Sequence, residues 1–302
     1  MTLHHPATET TARPVDAAPG SPPEPARSCA SLSMKDFKSG VEPIWCPGCG
    51  DFGVLQALQR ALAAHGRAPH EVAIVSGIGC SSRLPAYTSA YGFHGVHGRA
   101  LPVATGLKLA RPDLEVIVVG GDGDGYSIGG NHFLHACRRN VNLTYIVMDN
   151  RVYGMTKGQP SPTTEADWDS DMAPGGSGVA PFSPLAVALA AGANFVARGF
   201  ALDVKPLAEI LGAAMRHPGF SFVETLSPCV TFRPEEMAWK KTVTRGALQP
   251  TDDRAAAIVR ALAADDLASG VLYQGDRPAY PDGRAEPTGL DAIEQAFLLS
   301  AA

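Results

Sequence analysis

No apolar run in the 302 residues approaches the roughly 18 that a membrane-spanning helix requires, and the N-terminus has no continuous apolar stretch of a secretory leader. The chain is therefore expected to be cytoplasmic. Charge is nearly balanced: 25 Lys and Arg stand against 30 Asp and Glu, a net of −5, which gives no electrostatic case for binding nucleic acid. Cysteines number six, too few in a chain of this length without a leader for a disulfide framework, so metal or redox use is the better expectation. The 45% apolar content suits one large or two modest soluble domains, and no internal repeat is visible.

Met1 to about Ser33 is rich in Pro, Ala, Thr and Glu and offers too little apolar surface to fold, so 1–33 is expected to be a disordered tail. His4, His5 and Cys29 lie in it and are assigned no role. Apolar periodicity predicts helices at Phe52–His65, Val103–Ala110, Ile128–Arg139, Leu185–Ala191 and Pro206–Arg216. Strands are predicted at Val72–Ser76, Leu114–Val119, Leu143–Met148, Phe195–Ala197 and Ser221–Thr225. This alternation over a main domain, 34–246, implies an α/β fold with a mostly parallel sheet and helices on both faces. From Ala247 the character changes. Asp252–Asp265 reads as an Ala-rich helix and the rest, Pro278–Pro287 included, as irregular. The segment 247–302 is thus expected to be an extension that packs on the core or reaches toward a partner.

Two polar motifs end apolar runs. Gly121-Asp122-Gly123 follows Leu114–Val119, and Asn150, 28 positions after Asp122, follows Leu143–Met148. That interval holds one helix and one strand, so both side chains belong at neighbouring strand ends, where open α/β sheets bind ligands. A carboxylate and an amide carbonyl make half of a Mg²⁺ shell, which waters and ligand phosphates complete. The pattern points to a metal-bridged diphosphate, with Gly123 and Gly125 letting the backbone come close and the N-terminal amides of the following helix facing the anion. The loop has no G-x-G-x-x-G, so it is not a dinucleotide fingerprint. Tyr126 stands where an EF-hand needs an oxygen.

The G-D-G…N spacing resembles the thiamine diphosphate signature. Its flanks, Gly121 to His132 and Asp149 to Gln159, together with Trp45-Cys46-Pro47-Gly48-Cys49-Gly50 and Ile78-Gly79-Cys80-Ser81-Ser82, are similar to the β subunit of 2-oxoacid:ferredoxin oxidoreductases over roughly residues 36–246. The resemblance implies a thiamine diphosphate-binding fold, with the main-chain oxygen of Val152 joining Asp122 and Asn150 on Mg²⁺. It further implies that Ile78, Gly79, Cys80, Ser81, Gly121, Gly123, Asp124, Gly154 and Met155 border the cofactor, and that His97 stands against it. A turn histidine bonded to the backbone is the plainer reading of His97 and of its neighbour His94. Lys157 could face the distal carboxylate of a substrate such as 2-oxoglutarate, or be a solvated loop lysine. Thiamine diphosphate supplies a carbon nucleophile and an electron sink for decarboxylation. Its activation needs a glutamate beside the aminopyrimidine, which in related enzymes lies in the other half of the site. A separate α subunit is therefore expected to supply it.

Cys46 and Cys49 form a C-x-x-C pair, with Cys80 and Cys229 far along the chain. Four thiolates can hold a [4Fe–4S] cluster or a tetrahedral Zn²⁺, and C-x-x-C alone does not separate these. Cys80 follows the Val72–Ser76 strand and so belongs on the edge that carries Asp122. A redox cluster has a purpose beside an electron-rich cofactor, whereas zinc there would only staple. Cys229 is weakest on spacing, and the family has a cysteine at that place. Cys137, at helical spacing from Phe133, reads as a small buried hydrophobe. The implied activity is oxidative decarboxylation of a 2-oxoacid, 2-oxoglutarate or pyruvate, to acyl-coenzyme A, with electrons leaving through the cluster to ferredoxin. Two alternatives are a non-redox thiamine decarboxylase or synthase with a structural zinc, and a non-catalytic subunit that kept the fold.

Overall fold

A computed structural model describes residues 32–263 and 267–280. In chain order the strands are β1 (Val72–Ser76), β2 (Tyr91–His94), β3 (Glu115–Gly121), β4 (Leu143–Asp149), β5 (Val152–Tyr153), β6 (Gln159–Pro160), β7 (Phe195–Phe200), β8 (Phe220–Leu226), β9 (Thr244–Leu248) and β10 (Ala268–Gln274). The helices are α1 (Asp51–His65), α2 (Ala100–Ala110), α3 (Gly130–Arg139), α4 (Pro184–Ala191), α5 (Val204–Arg216), α6 (Trp239–Thr242) and α7 (Arg254–Ala263).

Eight strands form one sheet in the order β2-β1-β3-β4-β8-β7-β10-β9, and β5 and β6 make a separate short hairpin. The pairings from β2 across to β7 are all parallel; β10 runs antiparallel to β7, with β9 parallel to β10. Strand sequences such as Val72-Ala73-Ile74-Val75 are apolar throughout because both faces are covered. Ala73, Val75, Val116, Val118, Tyr145 and Val147 face α2, α3 and α4 on one side. Their alternates Ile74, Ile117, Val119, Ile146 and Met148 face α1 and α5 on the other. Each side chain of this size, once buried, stabilises by about 1.5–3 kcal/mol, so the strands at the sheet centre make a stiff platform whose C-terminal ends can hold polar groups in place.

Ten predicted elements are present, with ends shifted by a few residues. The helix expected at Ile128–Arg139 begins later, at Gly130, because Gly123–Ile128 winds first as a wide π-type turn. Residues after 247 are less irregular than expected. β9 and β10 extend the main sheet, so this part of the extension packs on the core. The expected Asp252–Asp265 helix is seen as α7, its last two positions lying outside the described residues, as do 281–287 of the expected irregular stretch. The expected tail lies outside the described residues up to Ser31. Among the described residues, no helix is long and apolar enough to cross a membrane.

Candidate functional site

The chain leaves β1 on one side to form β2 and returns on the other to form β3, so the loops after β1, β3 and β4 open around one crevice. A cavity of about 470 Å³ occupies it, a volume in the range of small-ligand sites. Ile78, Gly79, Cys80, Ser81, His97, Gly121, Asp122, Gly123, Asp124, Asn150, Val152, Gly154 and Met155 all line it, joined by Met148, Tyr153, Thr156 and Gln159. Lys157 does not: it is an exposed residue with φ of 82° in the tight turn after β5. Among the described residues the lining contains no Lys, Arg or Glu. A hollow of about 500 Å³ between β9, α7 and β10 offers Arg260 as its one ionisable side chain and no chemistry.

Asp122 caps β3 with 2% of its surface exposed, and Asp149 ends β4 with 1%. Burial, and after it the charge of Asp149, push the Asp122 carboxyl well above the ordinary carboxylate range. Two buried carboxylates side by side, next to a cavity lined by no Lys or Arg among the described residues, are costly, and a divalent cation would favour the ionised form. The carboxylate of Asp122, the amide oxygen of Asn150 and the main-chain oxygen of Val152 are hard donors, which suits Mg²⁺. Arg151, at φ 51°, folds the chain after β4 so that Asn150 Oδ1 accepts the Val152 N–H at 3.2 Å. That oxygen keeps a second lone pair. Val152 pairs with Pro160 across the β5–β6 hairpin, and proline has no N–H with which to occupy the Val152 carbonyl.

The glycines of this loop also stand where a side chain would collide with its neighbours. A Cβ on Gly123 would come within 2.1 Å of the Tyr153 ring, and one on Gly125 within 2.2 Å of the Tyr145 hydroxyl oxygen. They make room for aromatic packing, and Tyr153 donates its hydroxyl to Gly123 O at 3.2 Å. Asp124 also turns inward. Its Oδ1 accepts the N–H groups of Ile78 at 3.0 Å and Gly98 at 2.7 Å, and lies 2.9 Å from His97 Nδ1. One carboxylate thus ties the loops after β1 and β2 to the π-type turn and leaves His97 Nε2 as the ring nitrogen for other partners. His94 has the plainer role: its Nδ1 lies 2.7 Å from Ser82 O and 3.0 Å from Ser76 Oγ.

Cys46, Cys49, Cys80 and Cys229 line a second cavity of about 180 Å³ beside the first. Cys80, Asn150, Gly154 and Met155 belong to both. All four cysteines are free, and Cys46 is exposed. Burial, then the charge of Asp51, push the Cys80 thiol up to about 11; burial likewise raises Cys49 and Cys229. Apolar surroundings keep such thiols inert, and a metal would deprotonate them outright. Among the described residues, no three His, Cys, Asp or Glu side chains converge closely enough to hold a single metal ion. Tetrahedral zinc needs all four sulfurs at about 2.3 Å from one point; a [4Fe–4S] cluster places each sulfur on its own iron and so spaces them more widely. Cys137 is buried on α3, away from this group.

A largely buried ionic network, which sequence reasoning missed, runs from Arg151, next to Asn150, to the backbone of Cys229. Glu165 contacts Arg151 Nη1 at 2.5 Å and Arg233 Nη1 at 2.8 Å. Arg233 Nε lies 3.3 Å from Glu236, whose Oε2 accepts the Cys229 N–H at 3.0 Å. Burial acts to raise the Glu165 carboxyl, but hydrogen bonding to Arg233 and the charges of both arginines outweigh it and hold the group at about 2. A depressed carboxylate stabilises the fold above its unfolded value, here 4.5, and loses that contribution as pH falls toward about 2. Glu165→Gln is therefore expected to lower the melting temperature at pH 7. Melting curves of both proteins over pH 7 to about 2 should show the gap closing below about 4.5. A gap independent of pH would refute the pairing.

The fold and the first cavity define a thiamine pyrophosphate-binding domain. Residues 77–225 match the family described as the thiamine pyrophosphate enzyme, C-terminal TPP binding domain. The chain is 50% identical over 198 residues to the 2-oxoglutarate oxidoreductase subunit KorB of Mycobacterium tuberculosis, covering 66% of this chain and 53% of that protein. It is 42% identical over 280 residues to the 2-oxoacid:ferredoxin oxidoreductase subunit beta of Saccharolobus solfataricus, covering 83% and 90%. The solved 2-oxoglutarate:ferredoxin oxidoreductase of Magnetococcus marinus superposes with a TM-score of 0.84 at 40% identity, covering 90% of this chain and 97% of that one. The chain belongs to the β subunits of the 2-oxoacid:ferredoxin oxidoreductases. It nevertheless spans only about half the length of the Mycobacterium tuberculosis relative.

Proposed function

We propose that this β subunit holds thiamine diphosphate through Mg²⁺ in the larger cavity and a [4Fe–4S] cluster in the smaller one. With an α subunit it oxidises a 2-oxoacid, 2-oxoglutarate before pyruvate, to acyl-coenzyme A and reduces ferredoxin. The carrying observation is the shared wall: Cys80, Asn150, Gly154 and Met155 line both cavities. A redox cluster gives four cysteines beside an electron-rich cofactor a purpose, whereas a structural zinc in a non-redox thiamine enzyme would only staple the loops. The names of the relatives favour 2-oxoglutarate.

Asp122, Asn150 and the Val152 carbonyl would hold the cation. Cys46, Cys49, Cys80 and Cys229 would hold the cluster. When bound, thiamine diphosphate supplies the carbon nucleophile and the electron sink. The chain's own residues position and protect. Asp124 Oδ1, 2.9 Å from His97 Nδ1, stands beside the ring whose Nε2 would face a partner at the cavity wall. Met155, half exposed, offers apolar support for the cofactor. Exposed Cys46 would hold the cluster at the surface, where it could pass electrons to a soluble acceptor. Among the described residues the lining has no glutamate to activate the cofactor and no Lys or Arg for a distal carboxylate. Both belong to the α subunit in this reading, and Lys157 is left without a part in it. The same groups serve the reverse, reductive carboxylation.

The test is anaerobic purification with the α subunit. The complex should reduce ferredoxin only with coenzyme A and a 2-oxoacid, faster with 2-oxoglutarate than with pyruvate, and the β chain alone should not turn over. Full-rate decarboxylation by the isolated chain would overturn the two-subunit site.

A further inference from the structure

The segment Ser161-Pro162-Thr163-Thr164 crosses directly behind the strand ends that carry Asp122 and Asp149, and its three hydroxyl-bearing residues are all buried. Thr163 Oγ1 lies 3.1 Å from Asp122 Oδ2 and 2.8 Å from Asp149 Oδ1. Thr164 Oγ1 accepts the Ser161 N–H at 2.7 Å and donates to Arg151 O at 2.6 Å, which pins the turn that presents Asn150. Glu165, next along, is clamped by Arg151 and Arg233. The hydroxyls are therefore held on a braced strap against the back of the carboxylates.

We propose that Thr163 is a positioning residue for the cation site: its hydroxyl separates Asp122 from Asp149 and holds one Asp122 oxygen, so that the other faces the Mg²⁺ position. This rests on the reading of Asp122 as a cation ligand. A hydroxyl is the smallest neutral group able to hydrogen-bond either carboxylate while keeping the two apart. An apolar replacement of the same size fills the space but removes that bond, so the Asp122 carboxylate is no longer held in the orientation that faces the Mg²⁺ position. Groups that orient metal ligands in this way are worth about 10–100-fold in metal affinity.

The experiment measures thiamine diphosphate binding to the full chain by calorimetry across a Mg²⁺ titration. Wild type, Thr163→Val, Thr163→Ser and Asp122→Ala are compared, with circular dichroism confirming that each is folded. The expected result is a Mg²⁺ requirement raised about 10–100-fold in Thr163→Val and near wild type in Thr163→Ser, with excess Mg²⁺ restoring binding to the valine variant. A weakening that excess Mg²⁺ fails to restore counts against the proposal. If the valine variant does not fold, Thr163→Ala is read by the same criteria. A Thr163→Val titration that matches wild type while Asp122→Ala abolishes binding overturns the role of Thr163 alone. Full binding by Asp122→Ala overturns the cation site itself.

Discussion

Asp122→Ala is expected to abolish thiamine diphosphate binding while leaving the cofactor-free protein at least as stable as wild type. Asp122 is the one carboxylate among the three cation ligands assigned here, and the diphosphate it bridges is strongly anionic. A loss of about 4 kcal/mol would be about a thousandfold in affinity. The sign of the stability change is the more telling half. Without a cation, Asp122 is a buried carboxyl close to Asp149, pushed well above its ordinary range by burial and by that neighbour. Removing it relieves a repulsion, so the melting temperature without ligand should stay level or rise. In wild type, Mg²⁺ with thiamine diphosphate at 100 times its dissociation constant should add about 2.7 kcal/mol; in the variant that gain should vanish. Thermal melting with and without cofactor reads both effects. A variant that melts early without ligand would make Asp122 a structural residue.

Cys229→Ser should produce the second large effect, loss of the cluster with the cofactor site intact. Cys229 lines the smaller cavity and not the larger. Serine keeps the volume but offers a poor ligand for iron. Anaerobically purified protein should lose its brown absorbance near 400 nm, an order-of-magnitude position set by iron–thiolate bonding, together with its iron and acid-labile sulfide. Thiamine diphosphate affinity should stay close to wild type. Zinc in wild-type protein in place of iron and sulfide would contradict the assignment.

The parts of the fold legible in the sequence are those where one physical rule dominates. β1, β3 and β4 are continuous apolar runs because both their faces are covered, and the polar residue after each run marks the strand end. Asp122, Asn150 and Cys80 were placed on one edge by that logic, and they line one cavity. Elements without a single dominant rule were missed. β2, Tyr-Gly-Phe-His, is an exposed edge strand with no buried face to write a pattern. β10 is interrupted by Gly270, at φ 140°, and by a register shift against β7. The further reason for Gly123 and Gly125, room for tyrosine rings, is not legible in the loop itself, because those tyrosines come from β4 and β5. Thr163 is 41 positions from Asp122, and Glu165 is 68 from Arg233; only folding brings them together. A run of hydroxyl residues, Ser161, Thr163 and Thr164, just after the metal loop was the available signal.

The central claim is that the two cofactor sites share a wall so that electrons pass from one to the other. Electron paramagnetic resonance of the anaerobic α/β complex, given 2-oxoglutarate with no ferredoxin present, tests it most directly. The account predicts a reduced iron–sulfur signal that appears with substrate in wild type and is missing in Asp122→Ala, although that variant keeps its iron. A cluster that stays oxidised when wild-type complex consumes the substrate would contradict it.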